Sequence, residues 1–448
     1  MDAAAQEATS QGAGITVVKG ARLIDGLGGN VLRDAVVLLS GKRITRVGSV
    51  SEVAIPAGAK VIDAGQCTLM PGLIDGHVHV AAYNVVSFNN YRIAMYEVSP
   101  QLQSFYTLFH AQLCFEMGFT TLRDMGRNNA WANFATELCA VRDAINSGIV
   151  PGPRLLVSGR IMTTGSHHDM NLPRAAYRHP GYTADGPWGV RTAAREHIRT
   201  GVDIIKVCVT GGASADEEGD TRNLTQEELD AAVDEAHGFH KPVAAHCWTA
   251  LSHRMCVQAG VDTIEHMVFT DDESTRIVRE SGTPVSPTLL HRTDRAIEVR
   301  QRMGSPLNVL KKMREIQPRC YESFKRMHQA GVKIFMGTDI QYDPEMGSNS
   351  AELELYVALG MSSMEAIMSA TRSAAQAMGI DADTGTLEPG KFADLIAVDG
   401  DPLHDIKILQ DRDRIRLVMK EGKPYVDKLA AAPLYVLHPQ PGERKMFE

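Results

Sequence analysis

DIIKVCVT (203–210), VAAHCW (243–248) and TIEHMV (263–268) are apolar, β-branched runs of strand length, and each carries one polar residue of interest: Lys206, His246 and His266. Between the first two, TQEELDAAVDEAHGF (225–239) has helical spacing, and Thr225 with Glu228 makes a capping-box signature. The unit is strand, loop, helix, strand. Outward from this stretch the unit recurs, with TTLRDM (120–125) and RLLVSG (154–159) before it and PVSPTL (284–289) and IFMGTD (334–339) after it. With the strand ahead of His77 these make eight βα steps. Alternation on that scale predicts an α/β fold, a (β/α)8 TIM barrel spanning residues 71–383.

The flanks read differently. ITVVKGARLID (15–25), AVVLLSGKRITRVG (35–48) and AKVIDAGQCTLM (59–70) are short strands broken by turn residues, and GTLEPGKFADLIAVDG (385–400) and RIRLVMKEGKPYV (414–426) repeat that style. Neither flank is long enough to stand alone. The two ends are expected to meet as one small β-sandwich, residues 15–70 plus 384–430, beside the barrel. Residues 1–14 read as a disordered leader and 431–448 as a C-terminal tail, either packed on a neighbour or loose.

The chain has 448 residues, which fits two or three domains of about 100–200 residues or one barrel of about 250 plus a smaller unit. Hydrophobic residues are 44% and charged residues 22%, the balance of a globular protein. The net charge of -8 has no basic face behind it, which argues against a nucleic-acid partner. No run reaches the roughly 18 apolar residues of a membrane span, and the start lacks the basic and apolar regions of a secretory signal. Seven cysteines without C-x-x-C spacing suit free thiols in a reducing cytoplasm.

His77 and His79 form an H-x-H at the end of an apolar strand, where residues i and i+2 point to the same side. Alone, such a pair is as compatible with a hydrogen-bonded surface as with a cation site. His246 and His266 taken singly suit satisfied core histidines, and Asp339 in IFMGTD suits a turn cap. Lys206 is costly in an apolar strand unless paired or neutral. Barrel geometry changes these readings together, because strand C-termini converge on one mouth. Four histidines and an aspartate then match zinc-type ligation with positions left for water. A desolvated lysine amine can add carbon dioxide, giving a carbamate able to bridge two metals.

This constellation resembles the amidohydrolase superfamily over nearly the whole chain. PGLIDGHVH (71–79), GFTTLRDMG (118–126), TGVDIIKV (200–207), AAHCWTA (244–250), AGVDTIEHM (259–267), MGTDI (336–340) and MSSMEAIMSATRSAAQAMG (361–379) are similar to its prolidase-like and imidazolonepropionase-like branch. GTLEPGKFADLIAVDGDPL (385–403) belongs to the same set. That branch includes Xaa-Pro dipeptidase-type, ochratoxin-type amide, and phenylurea and thiocarbamate hydrolases. The resemblance implies that His77 and His79 hold one divalent metal, Zn2+ by preference, and His246 and His266 a second. It makes Lys206 an N6-carboxylated bridge, and Asp339 both a ligand and a proton shuttle. Two metals would lower the pKa of a bridging water, giving hydroxide that attacks an amide, carbamate or urea carbonyl. The family's G-G-H-G-D segment corresponds to Gly165-Ser166-His167-His168-Asp169, so His167 takes the place of its active-site histidine. Ser166 and His168 stand where it has glycines and should narrow the pocket, unless His168 is simply a surface residue. His291 either reaches the same bowl or starts a helix.

Residues 83–109 hold seven aromatics, Tyr83, Phe88, Tyr91, Tyr96, Phe105, Tyr106 and Phe109. They would line an apolar pocket for aryl or bulky substrates, or pack a helix of their own. Arg123, Arg127, Arg174, Arg178 and Arg292 are candidate anchors for a substrate carboxylate. The expected enzyme is a homo-oligomeric, binuclear hydrolase of C–N bonds in small molecules, with no nucleic-acid or membrane partner. The alternatives are an Xaa-Pro-type dipeptidase or carboxypeptidase on N-acyl amino acids, a mononuclear cyclic-imidazolone hydrolase or deaminase, and a scaffold that has lost its metals.

Overall fold

The computed structural model describes residues 14–82, 90–126, 135–170, 183–213, 217–342 and 345–437. The expected leader lies outside this range apart from Gly14, as do Arg127, Arg174, Arg178, Tyr83, Phe88 and residues 438–448 of the tail.

The β-branched N-terminal runs form β1 (Ile15–Leu23), β2 (Leu32–Ser40), β3 (Arg43–Ser49), β4 (Lys60–Asp63) and β5 (Thr68–Pro71). Alternation along them serves two faces. In β2, Val37 and Leu39 join one apolar cluster while Val36 and Leu38 join another.

Seven parallel strands follow: β6 (Leu73–Val78), β7 (Phe119–Asp124), β8 (Arg154–Arg160), β9 (Ile204–Cys208), β10 (Val243–Thr249), β11 (Thr263–Phe269) and β12 (Val285–Ser286), each hydrogen-bonded to the next. β12 stops early because Pro287 offers no N–H to a ladder. The expected eighth strand, IFMGTD, closes the ring through a few backbone hydrogen bonds on each side and an isolated parallel bridge, Ile334 opposite Val285, instead of a regular ladder. Phe335 N donates to Val285 O at 3.0 Å on one side, and Gly76 N to Met336 O at 2.9 Å on the other. Crowding at the seam requires glycine there, since a Cβ on Gly337 would lie 2.3 Å from Ser286 Oγ and 2.6 Å from His77 Cβ. Val207, Ala245, Ile264 and Val285 of the strands share one core with Val233, Cys256, Val278 and Phe324 of the surrounding helices. That is a helix-wrapped barrel.

The C-terminal strands β13 (Leu395–Val398), β14 (Ile415–Lys420) and β15 (Lys423–Asp427) return to the first sheet. β13 pairs antiparallel with β5, Leu395 opposite Pro71, giving an eight-stranded mixed sheet built from both ends of the chain. The tail, as far as Leu437, packs on its own chain: Val436 and Leu437 N donate to buried Glu116 at 2.9 and 2.8 Å.

Candidate active site

The six candidate ligands and the two candidate catalytic histidines, His167 and His291, gather at the C-terminal mouth of the barrel. β6 delivers His77 and, one residue past its end, His79; their rings are 5.6 Å apart. β9 delivers Lys206, β10 His246 and β11 His266. The His266 ring lies 5.0 Å from that of His77 and 4.5 Å from that of His246. Asp339, from the closing segment, places Oδ1 3.0 Å from His79 Nε2 and 3.6 Å from His77 Nε2. Ligand atoms of His77, His266 and Asp339 all fall within 4.8 Å of one another, a set able to hold a metal ion.

The backbone is bent to achieve this. His266, Met267, Thr288 and Asp339 have φ of 79°, 53°, 51° and 56°, the left-handed region that non-glycine residues avoid. Such outliers cost of order 1–3 kcal/mol each and persist where the surroundings enforce them.

Each histidine of the cluster uses one ring nitrogen outward. His77 Nδ1 meets Glu265 at 2.7 Å, His79 Nδ1 the carbonyl of Gly126 at 2.6 Å, and His246 Nε2 the carbonyl of Gly211 at 2.9 Å. His266 Nδ1 meets Thr288 Oγ1 at 2.6 Å. A carbonyl or carboxylate partner demands N–H on that nitrogen, which leaves the other as a lone pair for a cation. Burial pushes His77 down to about 4, with the positive Lys206 adding to it, and lowers His246 and His266 well below the ordinary imidazole value. They are neutral donors. Burial alone would raise Asp339, but His291, a hydrogen bond with His79, His77 and His266 outweigh it and hold the carboxyl well below its usual range.

Lys206 is 2% exposed, and its Nζ has no hydrogen-bond partner among the described residues. Burial lowers its pKa, opposed in part by Glu265. A buried, unbonded amine amid three neutral histidines, His79 and a carboxylate is chemically fitted to become a carbamate shared between cations.

His167 follows β8. Its Nδ1 is 2.5 Å from Glu217, its ring stacks 4.6 Å from His246, and Nε2 is the nitrogen left for a ligand. His168 is not a surface residue: it is buried and accepts from Arg160 at 3.1 Å. His291 lies in a single helical turn, Leu290–Arg292, with Nε2 3.7 Å from Asp339 and further bonds to Gln341 and Arg300.

Two sequence expectations change. Arg123 is no loop anchor: it lies on β7, buried, bonded to Gly76 O at 2.5 Å and to Glu265 at 2.9 Å beneath the cluster. The loop of 83–109 is, from Tyr91 on, mainly two helices, Tyr91–Glu97 and Pro100–Glu116; Phe105 points to solvent and Tyr106 stacks on His110.

Glu265 and Glu217 escaped sequence reading. Burial would raise Glu265, but Arg123 and His77 outweigh it and bring it down to about 2, a fixed anion that orients His77. An acid inside TIEHMV was the available signal. Glu217, within DEEGD, is camouflaged by its acidic neighbours.

Residues 68–425 match the model of the amidohydrolase family. The chain is 31% identical over 449 residues to ochratoxinase of Aspergillus niger, covering 93% of this chain and 88% of that protein. Among solved structures, an Xaa-Pro dipeptidase with methionine bound in its active site superposes with a TM-score of 0.82 at 32% identity, covering 92% of this chain and 99% of the other. A prolidase complexed with N-methylphosphonate-L-proline gives 0.81 at 31% identity, with coverage of 92% and 99%. Matched by the family model over most of its length and aligned end to end with such relatives, this chain is an enzyme of the amidohydrolase family, a hydrolase of carbon–nitrogen bonds.

Proposed function

We propose that the protein is a binuclear metal hydrolase of amide-type C–N bonds in small molecules. His77 and His79 would hold one divalent ion and His246 and His266 the other, with carboxylated Lys206 between them and Asp339 as a further ligand. Nitrogen and oxygen donors of this kind suit Zn2+. The observation that carries the reading is Lys206 Nζ, buried and unbonded among neutral imidazoles. A single-metal deaminase or cyclic-imidazolone hydrolase has no use for it.

Two bound ions would acidify a water and polarise the substrate carbonyl. The rest falls to the chain. Asp339 is the base within reach of that water and the acid that returns the proton to the departing nitrogen. His291 and His79 keep its carboxylate charged and oriented. His167, fixed through Nδ1 by Glu217, offers Nε2 to the carbonyl oxygen as its charge develops. The seven cysteines are all free and buried, which suits a reducing compartment such as the cytoplasm.

Metal analysis with turnover of simple amides tests this. Purified enzyme should carry close to two ions per chain, and Lys206→Ala should lose at least one of them with nearly all activity. Full activity in Lys206→Ala, without added carbon dioxide or short carboxylates, would sink the binuclear reading.

A further inference from the structure

Arg160 is the last residue of β8 and is buried. Its guanidinium reaches the end of β7 and serves three acceptors. Nη2 donates to the carbonyls of Met125 and Gly126 at 2.8 and 2.9 Å, and Nη1 donates to His168 Nδ1 at 3.1 Å. The Gly126 carbonyl is the group that orients His79, taking Nδ1 at 2.6 Å while His79 Nε2 lies 3.0 Å from Asp339. One oxygen thus spends both lone pairs, one on the imidazole and one on the guanidinium. The ladders of β7 end at Asp124, so side chains have to fix this carbonyl. Gly126 has a φ of 81°, open to a residue without Cβ, and its own N–H is held by Asp124 Oδ1 at 2.6 Å. On the other arm, a guanidinium only donates, so His168 Nδ1 is the acceptor and the ring is held by that nitrogen. The His168 ring lies 4.8 Å from that of His167, which stacks 4.6 Å from His246. Arg123 has the corresponding place behind the neighbouring ligand, bonded at 2.9 Å to the Glu265 that orients His77.

We propose that Arg160 is a positioning residue with two targets: one arm of its fork fixes the Gly126 carbonyl and through it the His79 ring, and the other fixes His168 and through it His167. This rests on the binuclear reading above and adds to it a side chain that touches neither ion nor substrate. A planar guanidinium carries N–H groups in fixed directions, which lets one side chain hold two separate segments. Lysine has the charge without the fork. Losing the partner behind a ligating histidine costs about 10–100-fold in metal affinity or activity. The two arms therefore predict different losses, ion affinity for the Gly126 arm and kcat for the His168 arm.

The test titrates Zn2+ into metal-free protein against a competing chelator, and measures kcat and KM for a simple amide on the metal-loaded enzyme. Arg160→Gln should weaken one ion by about 10–100-fold. That ion should be the one His79→Ala removes, so adding Arg160→Gln to His79→Ala should leave the affinity for the remaining ion unchanged. His168→Gly cuts the other arm alone. It should keep both ion affinities within a few-fold of wild type and lower kcat by about 10–100-fold with KM little changed. Arg160→Lys should recover at most one of the two losses. Ion affinities within a few-fold of wild type in folded Arg160→Gln would overturn the proposal, as would an unchanged kcat in His168→Gly. If Arg160→Gln does not fold, Arg160→Lys is judged by the same readings, and wild-type values for both in that variant overturn the proposal. The parent reading fails separately: a wild-type chain that binds fewer than two ions refutes the binuclear centre, whereas two ions with affinities unmoved by the variants refute the positioning role alone.

Discussion

Asp339 adopts a φ of 56°, reached because its N–H and that of Thr338 both donate to the carbonyl of His77, at 2.7 and 3.0 Å. Asparagine tolerates the left-handed region and has nearly the same shape, but it cannot carry a proton at neutral pH. Asp339→Asn should therefore keep the fold and much of the metal while losing about 10²–10⁴-fold in kcat, the usual worth of positioned acid–base catalysis. Substrates with poor leaving nitrogens should suffer most. Measuring kcat for an alkyl amide and an activated anilide, with metal content alongside, decides it. A mutant that holds its metals and cleaves the alkyl amide within a few-fold of wild type would leave Asp339 a ligand only, and the shuttle would pass to His167 or His291.

Each element ends where a ligand must point, and the loop beyond it completes the work. After β9, Gly211 offers its carbonyl to His246 while Gly212 lies flat against the His167 ring. A Cβ on Gly212 would fall 2.4 Å from that ring. Its φ is not in the left-handed region, so alanine strains no backbone and acts only by displacing His167. Gly212→Ala should lower kcat/KM by about 10²-fold, the scale of a 1 Å misplacement. Thermal melting and metal content should stay near wild type. Unchanged kinetics would show that His167 does not face the substrate. The same element logic explains what was legible: the capping box of Thr225 and Glu228 starts the helix Gln226–Gly238 as its spacing predicts, because both partners are three residues apart and need no tertiary help.

Across the whole molecule, the C-terminal part of the small sheet is stitched to the barrel by Asp394. Its Oδ2 takes Arg154 of β8 at 2.7 Å and Thr384 at 3.0 Å, and its Oδ1 accepts from Glu421 N at 2.7 Å. Asp394 is 3% exposed. Without Asp394, Arg154 would keep only Glu421, at 3.3 Å, as its counter-charge, and Glu421 N would lose its acceptor, a loss below the roughly 3–5 kcal/mol of a fully stranded buried charge. Asp394→Ala should lower the unfolding midpoint by several degrees yet leave kcat near wild type at temperatures well below it. A matched loss of kcat in fully folded protein would instead tie the small sheet to the active site.

The local patterns by themselves determined the barrel, the meeting of the two flanks, and the polar residue at the end of each strand. Strand periodicity, turn residues and one misplaced charge per apolar run are properties of neighbours along the chain. The tertiary structure alone decided the rest. Glu265 under His77, the carbonyls of Gly126 and Gly211 behind His79 and His246, and Trp248 beneath Arg292 are partners brought together from distant strands. Arg123 and Arg292 look alike in sequence, and only burial beside different neighbours gave one an internal carboxylate and left the other, among the described residues, without one. Charge compensation is a property of three-dimensional surroundings, so no pattern along the chain could have told them apart.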